Sequence, residues 1–206
     1  MSFRIIGLSP EPFRPLFGLD EAQLAAQGIK RYVADSKPGF PDRIELRDAE
    51  PGESVLLLNY THQPANSPYR ASHAVFVLEG AKSRYDRIDE VPEAFRLRLL
   101  SMRAFDEQGF MVDADLVDGR EVEGLIERFL GNDAVPYIQA HYAKRGCYAG
   151  PDRASQLTGG PEASLTTVTA ASRFSRSRSP RNGPFSDCRS SSDSVTAAAA
   201  SRARRK

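Results

Sequence analysis

The fold class follows most directly from Leu100-Ser-Met-Arg-Ala-Phe-Asp-Glu-Gln-Gly-Phe-Met-Val-Asp-Ala-Asp-Leu-Val117. Two runs of strand-forming residues flank a turn in which Gly109 can take the left-handed position of a three-residue hairpin loop. In that register one face of both strands is wholly apolar, whereas a four-residue loop would mix the two faces. We therefore predict an antiparallel hairpin with the shorter loop.

The predicted register brings charged side chains together on the second face of this hairpin. It pairs Arg103 with Asp113 and puts Asp115 about 7 Å further along the same face. Two carboxylates at that separation, if desolvated, suit general acid–base catalysis because one pKa is raised. The alternative is a solvated, salt-bridged outer face of a half-buried sheet.

The chain on either side of the hairpin predicts further strands and short helices. Two capping boxes each begin a helix, one formed by Asp20 with Gln23 and one by Asp118 with Glu121. The helix after Asp118 has one apolar face and ends at Gly131. The other predicted elements are strands at Phe3–Leu8, Ile29–Ala34, Arg43–Arg47, Val55–Thr61 and Val135–His141, and helices after Ser9 and over Val91–Leu99. This order predicts an α+β fold with a largely antiparallel or mixed sheet that can curl toward a barrel.

The composition changes after Gly150, which we predict to close the single globular domain (residues 1–150). Residues 151–206, the tail, hold ten Lys/Arg and four Asp/Glu; since the whole chain has a net charge of +1, residues 1–150 carry −5. The tail is rich in Ser, Arg and Ala without a hydrophobic period, so we interpret it as disordered and as typical of a frameshifted extension. A basic nucleic-acid-binding tail is the alternative. The acidic domain itself is not expected to bind nucleic acid or an anionic membrane.

Cysteine content and hydropathy favour a cytoplasmic protein. The two cysteines, Cys147 and Cys188, do not make a disulfide framework. The N-terminal Met-Ser-Phe-Arg-Ile-Ile-Gly lacks the apolar core of a signal peptide, and no apolar run approaches the roughly 18 residues of a membrane span. The common phosphate-binding and hydrolase loop motifs are absent, and no cofactor is predicted.

The segment Tyr60-Thr-His-Gln-Pro-Ala-Asn-Ser-Pro-Tyr-Arg-Ala-Ser-His73 concentrates polar side chains between two apolar runs. Loops held between rigid strands often carry binding and catalytic groups. Arg70, just after a Ser-Pro turn, is suited to hold a carboxylate or phosphate through two hydrogen bonds. The alternative is an arginine that pins its own loop to a carbonyl. The predicted substrate-binding residues are Ser67, Tyr69, Arg70, Ser72 and Arg103.

A second polar group closes the predicted domain at His141-Tyr-Ala-Lys-Arg-Gly-Cys147. A thiolate assisted by a histidine would be a covalent nucleophile, while the alternative is a buried cysteine that acts as a small apolar residue. His62, His73 and His141 match no compact zinc-binding spacing, so no metal site is predicted. The predicted catalytic residues are His62, His141, Asp113, Asp115 and Cys147.

Taken together, these motifs resemble a bacterial family of small proteins called domain of unknown function 1203, over roughly residues 2–150. The resemblance rests on Asp48-Ala-Glu-Pro-Gly52, Leu57-Leu-Asn-Tyr60, His62, Ser67-Pro-Tyr-Arg-Ala-Ser72, Phe76-Val77, Leu99–Arg103, Met111-Val-Asp-Ala-Asp115 and His141 with Arg145-Gly-Cys147. It implies a domain that ends soon after Cys147, which favours a foreign or frameshifted origin for the tail. This chain has Asp42, His73 and Tyr142 where the family pattern implies Cys, Gly and Asn.

The resemblance implies no activity, so the expected function rests on the residues. We expect a small enzyme that acts on an anionic small molecule, with arginines to hold the anion and a histidine or aspartate as acid or base. The alternative is a non-catalytic module that binds a small ligand or a protein. No membrane partner is expected, and nucleic acid only through the tail.

Overall fold

Two antiparallel sheets carry the fold, in a computed structural model that describes residues 2–154 and, within the last strand, side chains only up to Pro151. The strands are β1 (Phe3–Ile6), β2 (Lys30–Val33), β3 (Ser54–Gln63), β4 (Ala71–Leu78), β5 (Asp86–Ile88), β6 (Leu99–Phe105), β7 (Met111–Asp118), β8 (Tyr137–Tyr142) and β9 (Tyr148–Ala154). The helices are α1 (Glu21–Ala25), α2 (Glu93–Arg96) and α3 (Val122–Leu130), with a 3₁₀ turn at Arg14–Leu16.

The sheet order confirms the predicted α+β class. Six strands form one sheet in the order β5-β1-β9-β8-β6-β7, and three form the other in the order β2-β3-β4. Every pair of neighbouring strands is antiparallel. Within the described residues β5 and β7 are free edges of the larger sheet, so the curl does not proceed to a closed barrel.

The hairpin β6–β7 has the predicted turn but not the predicted pairing. Phe105 faces Met111 beside the turn, yet the next pair is Ala104 with Asp113, because a β-bulge inserts Val112. Arg103 consequently faces Ala114, and the predicted pair of Arg103 with Asp113 is wrong. The bulge also exchanges the two faces of β7, so its aspartates lie on the face that α3 covers.

Helix α3 supplies the core of the larger sheet. Its predicted apolar face is buried against β6 and β8, through Val122, Leu125, Ile126, Phe129 and Leu130. The predicted capping box before it is wrong, because the Asp118 carboxylate accepts from the backbone and the guanidinium of Arg120 instead. The helix therefore begins only at Val122, after Glu121, which makes no side-chain cap.

The capping box of α1 is confirmed, and it gives a simple stability prediction. Asp20 accepts from the Gln23 amide at 2.8 Å, and the Gln23 side chain accepts from the Asp20 amide at 2.9 Å. We expect Asp20→Ala to lower the free energy of unfolding by about 1 kcal/mol, since both the cap and its reciprocal bond are weakened. Urea denaturation measures this, with Asp20→Asn as the variant that keeps the cap. Equal midpoints for all three proteins would contradict it.

The segment 40–49, predicted as a strand over Arg43–Arg47, is instead a series of bends. Asp42 is fully buried, and its carboxylate accepts from the amides of Ile44, Glu45 and Leu78. The Asp42 side chain accepts from backbone amides that would otherwise bond to a neighbouring strand. Leu46, with a positive φ of 52°, then turns the chain. The prediction is wrong because the buried carboxylate satisfies the amides of Ile44 and Glu45, and within residues 43–47 only the Arg43 amide bonds β4, through Phe76.

Smaller differences complete the comparison with the predicted elements. A turn follows Ser9 before the 3₁₀ turn, and the helix predicted over Val91–Leu99 is reduced to α2. Strands β5 and β9 were not predicted, and β4 was indicated only by an apolar run. The predicted boundary after Gly150 falls inside β9, which continues to Ala154 and pairs with β1. The interpretation of the tail as disordered concerns residues outside the described range. No helix among the described residues is long and apolar enough to cross a bilayer.

Candidate functional site

The histidines of the segment 60–73 lie on strands and not in a loop. Strand β3 runs to Gln63 and β4 begins at Ala71, so only residues 64–70 form the connection. His62 is the extra residue of a β-bulge between Thr61 and Gln63. Bulges re-aim side chains and are frequent beside active sites. Here the bulge accompanies a His62 side chain that reaches the other sheet.

Three imidazole rings meet between the two sheets. The rings of His62 and His73 stack at 4.7 Å with an interplanar angle of 9°. The ring of His141, from β8, meets both edge-on at 5.1 and 5.4 Å. Tyr148 of β9 stacks on the other side of His62 at 4.7 Å. We call His62, His73 and His141 the histidine cluster.

Hydrogen bonds fix the protonation of two of these rings. Gln139 donates through its amide nitrogen to the His62 carbonyl, so its amide oxygen faces His62 Nδ1 at 2.8 Å and can only accept. His141 Nδ1 lies 3.2 Å from the carbonyl oxygen of Gly146, which also only accepts. Both Nδ1 atoms must therefore carry the proton, and both Nε2 atoms keep a free lone pair.

Each of the three rings also has one nitrogen that is buried and makes no hydrogen bond among the described residues. Nε2 of His62, Nε2 of His141 and Nδ1 of His73 are each enclosed without a hydrogen-bond partner among the described residues. Burial lowers the pKa of His62 to about 4 and that of His141 to about 3, and it lowers the pKa of His73 as well. At neutral pH the cluster is uncharged. Buried polar atoms without partners are rare in folded proteins, so these three nitrogens set the cluster apart from the rest of the core.

The charges around the cluster are positive. Arg103 lies on the same face of the sheet as Gln139, its partner on β8, and its charge contributes to the lowered pKa of all three histidines. It is only partly exposed, and within residues 2–154 it makes no hydrogen bond or ion pair. Arg43 is buried, but it is committed to the carbonyls of Tyr148 and Pro41 and to the sulfur of Cys147. Of these two arginines, only Arg103 has donors left free by the part of the chain that the structure describes.

This arrangement does not suit a metal cation. The lone pair of an imidazole lies in the ring plane, and the planes of His62 and His73 are nearly parallel, so the two cannot converge on one ion without a ring rotation. The positive charges of Arg103 and Arg43, which both act on His73, also repel a dication. Within the described part of the chain, no three His, Cys, Asp or Glu residues are placed to hold a metal ion.

The predicted binding residues between β3 and β4 make structural contacts. Two of them contact the β6–β7 hairpin. Ser67 donates to the Gly109 carbonyl at 2.9 Å, and the Tyr69 ring packs edge-on against Phe105. Arg70 is exposed and donates to the carbonyl of Pro64 at 2.6 Å, as in the alternative given for it above. Ser72, on β4, bonds Thr61 across the hairpin.

The predicted acid–base pair lies away from the cluster. Asp113 and Asp115 face Ala104 and Met102, on the side of the sheet that carries α3, while Arg103 points to the other side. Both carboxylates are exposed and meet Arg128 of α3, at 3.9 and 2.8 Å. The structure therefore brings His62, His141 and Arg103 together and leaves Asp113 and Asp115 apart from them.

Cys147 is linked to the histidine cluster by two residues, Arg43 and Tyr148. Its sulfur accepts from Arg43 Nη2 at 3.2 Å, and the following residue, Tyr148, stacks on His62. This cysteine is partly exposed and free. The contact with Arg43, which also donates to the Tyr148 carbonyl, keeps Cys147 among the candidate residues.

The sequence reasoning missed part of the site. Gln139, Arg43 and Tyr148 were not among the predicted residues, and His73 was considered only as a metal ligand. One signal was present, because Gln139 and His141 are two apart on a predicted strand and must share a face. No local signal marks Arg43, which reaches the site from an irregular segment.

The comparisons with known proteins give a family and no closer relative. The model of the family described as "Protein of unknown function (DUF1203)" matches residues 39–151, a range that includes the histidine cluster, Arg43, Arg103 and Cys147. No curated protein and no solved structure matches the chain. Because the match covers more than half of the chain, this protein belongs to the DUF1203 family.

Proposed function

We propose that the protein is a small cytoplasmic enzyme that binds an anionic small molecule at the histidine cluster and transfers a proton to or from it. The observation that carries this proposal is Arg103, a partly buried guanidinium without a partner in the described residues, beside three imidazoles with buried, unsatisfied nitrogens. An unpaired charge in such a place is unfavourable unless a ligand completes it.

The chemistry follows from the two fixed tautomers. His62 and His141 each present a bare Nε2 lone pair, which accepts a proton from a ligand held by Arg103. Burial keeps their pKa values low. A bound anion adds a negative charge close to the rings and so raises these pKa values toward the working range of a general base. Binding of the anion thereby activates the base.

Anion binding is tested by thermal shift on the full chain, with acetate, inorganic phosphate, sulfate and a panel of metabolite carboxylates. A ligand at a hundredfold excess over its dissociation constant stabilises the native state by about 2.7 kcal/mol. We expect Arg103→Gln to weaken binding about 10- to 100-fold, because charge-assisted hydrogen bonds are lost. Arg87→Gln, on the exposed edge strand β5, is the matched control and should bind like the wild type.

The same titration distinguishes the two arginines that the sequence suggested. If Arg70→Gln abolishes binding and Arg103→Gln does not, the anion lies at the 64–70 connection and the proposal is wrong. If neither variant changes the response to an anion that binds, neither arginine holds it. Ligands that bind are then incubated with the protein in D₂O, and NMR detects exchanged or converted ligand. His141→Asn should abolish conversion while binding remains.

A binding module without chemistry is the second candidate. It is favoured by the partners of the two Nδ1 atoms, an amide and a backbone carbonyl, since these raise the basicity of a histidine less than a carboxylate would. The two candidates differ in the effect of a substitution at His141. An enzyme loses turnover and keeps its ligand, whereas a binding module shows no turnover and loses affinity alone.

A further inference from the structure

The register of the larger sheet places an apolar surface beside the proposed anion site. Across β8, β6 and β7, one row contains Gln139, Arg103 and Ala114, and the next row contains His141, Ser101 and Leu116. Directly opposed residues of antiparallel strands share a face, so these six side chains lie on one surface. His141 and Leu116 are separated by two strand spacings, roughly 10 Å.

The outer part of this surface is apolar and uncovered. Leu116 is 60% exposed and Leu99, in the row beyond Ser101, is 53% exposed; Ala114 is also exposed. We call Leu99, Ala114 and Leu116 the apolar shelf. The opposite face of these strands packs against α3 or forms ion pairs with Arg128. The shelf is therefore on the side of the sheet that does not contact α3. Contiguous exposed apolar residues beside a polar site indicate a binding surface.

Charge complementarity limits what the shelf can hold. Arg103 adjoins Ala114 at one end of the shelf. Within residues 2–154 its guanidinium makes no hydrogen bond or ion pair, whereas Arg43 is bonded to three acceptors. Both arginines are positively charged, but of the two only the Arg103 guanidinium keeps its donors free among the described residues, so the site offers one guanidinium fork to an anion. The planar fork of an arginine also fits a carboxylate through two parallel hydrogen bonds.

We infer that the ligand of this site is a monocarboxylate with a short aliphatic chain, whose carboxylate binds Arg103 and whose chain lies over Ser101 on the apolar shelf. This inference rests on the proposed function and specifies its substrate class. In this position the first carbons of the chain pass Ser101, the residue that faces His141 across β6 and β8. The chain is directed away from the buried rings toward Leu116 and solvent.

The test is a thermal-shift titration of the full chain with acetate, butanoate and hexanoate at pH 7. We expect the affinity to rise about two- to fourfold for each added methylene, the lower value reflecting contact on one side only. Leu116→Ser should remove most of this rise and leave the affinity for acetate unchanged. Ile88→Ser is the matched control, because Ile88 is 58% exposed on β5, the opposite edge of the same sheet.

The outcomes separate the two claims. A chain-length dependence that Leu116→Ser removes and Ile88→Ser keeps supports the inference. Carboxylates that bind through Arg103 with equal affinity at every chain length overturn it and leave the proposed function in place. Preference for inorganic phosphate over hexanoate overturns it in the same way. If no anion binds the wild-type protein, the proposed function fails, and the inference fails with it.

Discussion

Acidification should unfold this protein between pH 6.5 and 4, before most of its carboxylates are protonated. His62 and His141 are buried as neutral rings, with pKa values lowered to about 4 and about 3. In the unfolded chain both return to the ordinary value of about 6.5. Below pH 6.5 the unfolded state therefore binds more protons than the folded state, and stability falls as the pH falls. The stabilisation is complete above pH 6.5 and is lost through the window down to the folded pKa values.

The magnitude follows from the separation of the pKa values. One pKa unit corresponds to about 1.4 kcal/mol, so by pH 4 each of the two rings contributes a loss on the order of 3 kcal/mol. Neither ring is appreciably exposed, at 7% and 0%. A loss of roughly 6 kcal/mol is comparable with the whole stability of a domain of this size. The lowered pKa of His73 acts in the same direction.

The free energy of unfolding is measured by urea denaturation at several pH values between about 4.5 and 7.5. The slope against pH is the informative quantity, because a substitution can change stability at every pH and leave the slope untouched. We expect His141→Gln to reduce the slope by about 1.4 kcal/mol per pH unit near pH 5, as one proton fewer is taken up. Identical slopes for the wild type and the variant would show that His141 is not buried as a neutral ring.

A bound anion should weaken this acid sensitivity. The negative charge of a ligand at Arg103 favours the protonated imidazoles, so the folded protein takes up protons at a higher pH when the anion is bound. The acid stability of the protein and the chemistry proposed for its site thus have one physical origin. Both arise because the histidine cluster is buried beside Arg103, whose charge no carboxylate of residues 2–154 neutralises.

The parts of the fold that follow a simple period could be predicted from the sequence. The apolar face of α3 and the capping box of α1 depend on residues three and four apart, and both are confirmed. The hairpin turn at Gly109, whose φ is 80°, likewise depends on local chemistry. The pairing beyond that turn could not be predicted, because a single extra residue, Val112, reverses every later side chain of β7.

The same limit explains why the site was only partly predicted. His62 lies at one bulge, and the register of β8 with β9 shifts at His141, so an ideal alternation misplaces both strands relative to their neighbours. Arg103 was among the predicted binding residues, but the cross-strand partner predicted for it, Asp113, was wrong. Its partner on β8 is Gln139, and this pairing joins segments far apart in sequence. Bulges depend on tertiary packing, which no local pattern reports.

The second large effect is expected from the pair of Asp48 and Arg98. The Asp48 side chain is fully buried and accepts from both terminal nitrogens of Arg98, at 2.6 and 2.7 Å, and from the Gly39 amide at 2.9 Å. Arg98 also packs over the ring of Tyr142, 5.0 Å from its centre. The pair ties the bent segment 40–49, which positions Arg43, to the first residues before β6.

We expect Asp48→Asn to lower the free energy of unfolding by about 3 to 5 kcal/mol. The substitution keeps the size of the side chain but leaves a largely buried guanidinium without its counter-charge, which is the costly way to break a buried ion pair. Thermal or urea unfolding at pH 7 measures the loss. The matched control is Glu11→Gln, which breaks the exposed pair of Glu11 with Arg14 and should have little effect, because exposed pairs contribute little to stability.

A double variant, Asp48→Asn with Arg98→Met, separates the loss of attraction from the burial of an unpaired charge. If the large effect arises from the isolated guanidinium, removing that charge as well restores part of the lost stability, so the double variant is more stable than Asp48→Asn alone. If the double variant is less stable by the sum of the two single changes, the pair does not act as a unit. The effect of Asp48→Asn would then come from the Gly39 hydrogen bond and from packing, and the segment that positions Arg43 would depend on those contacts.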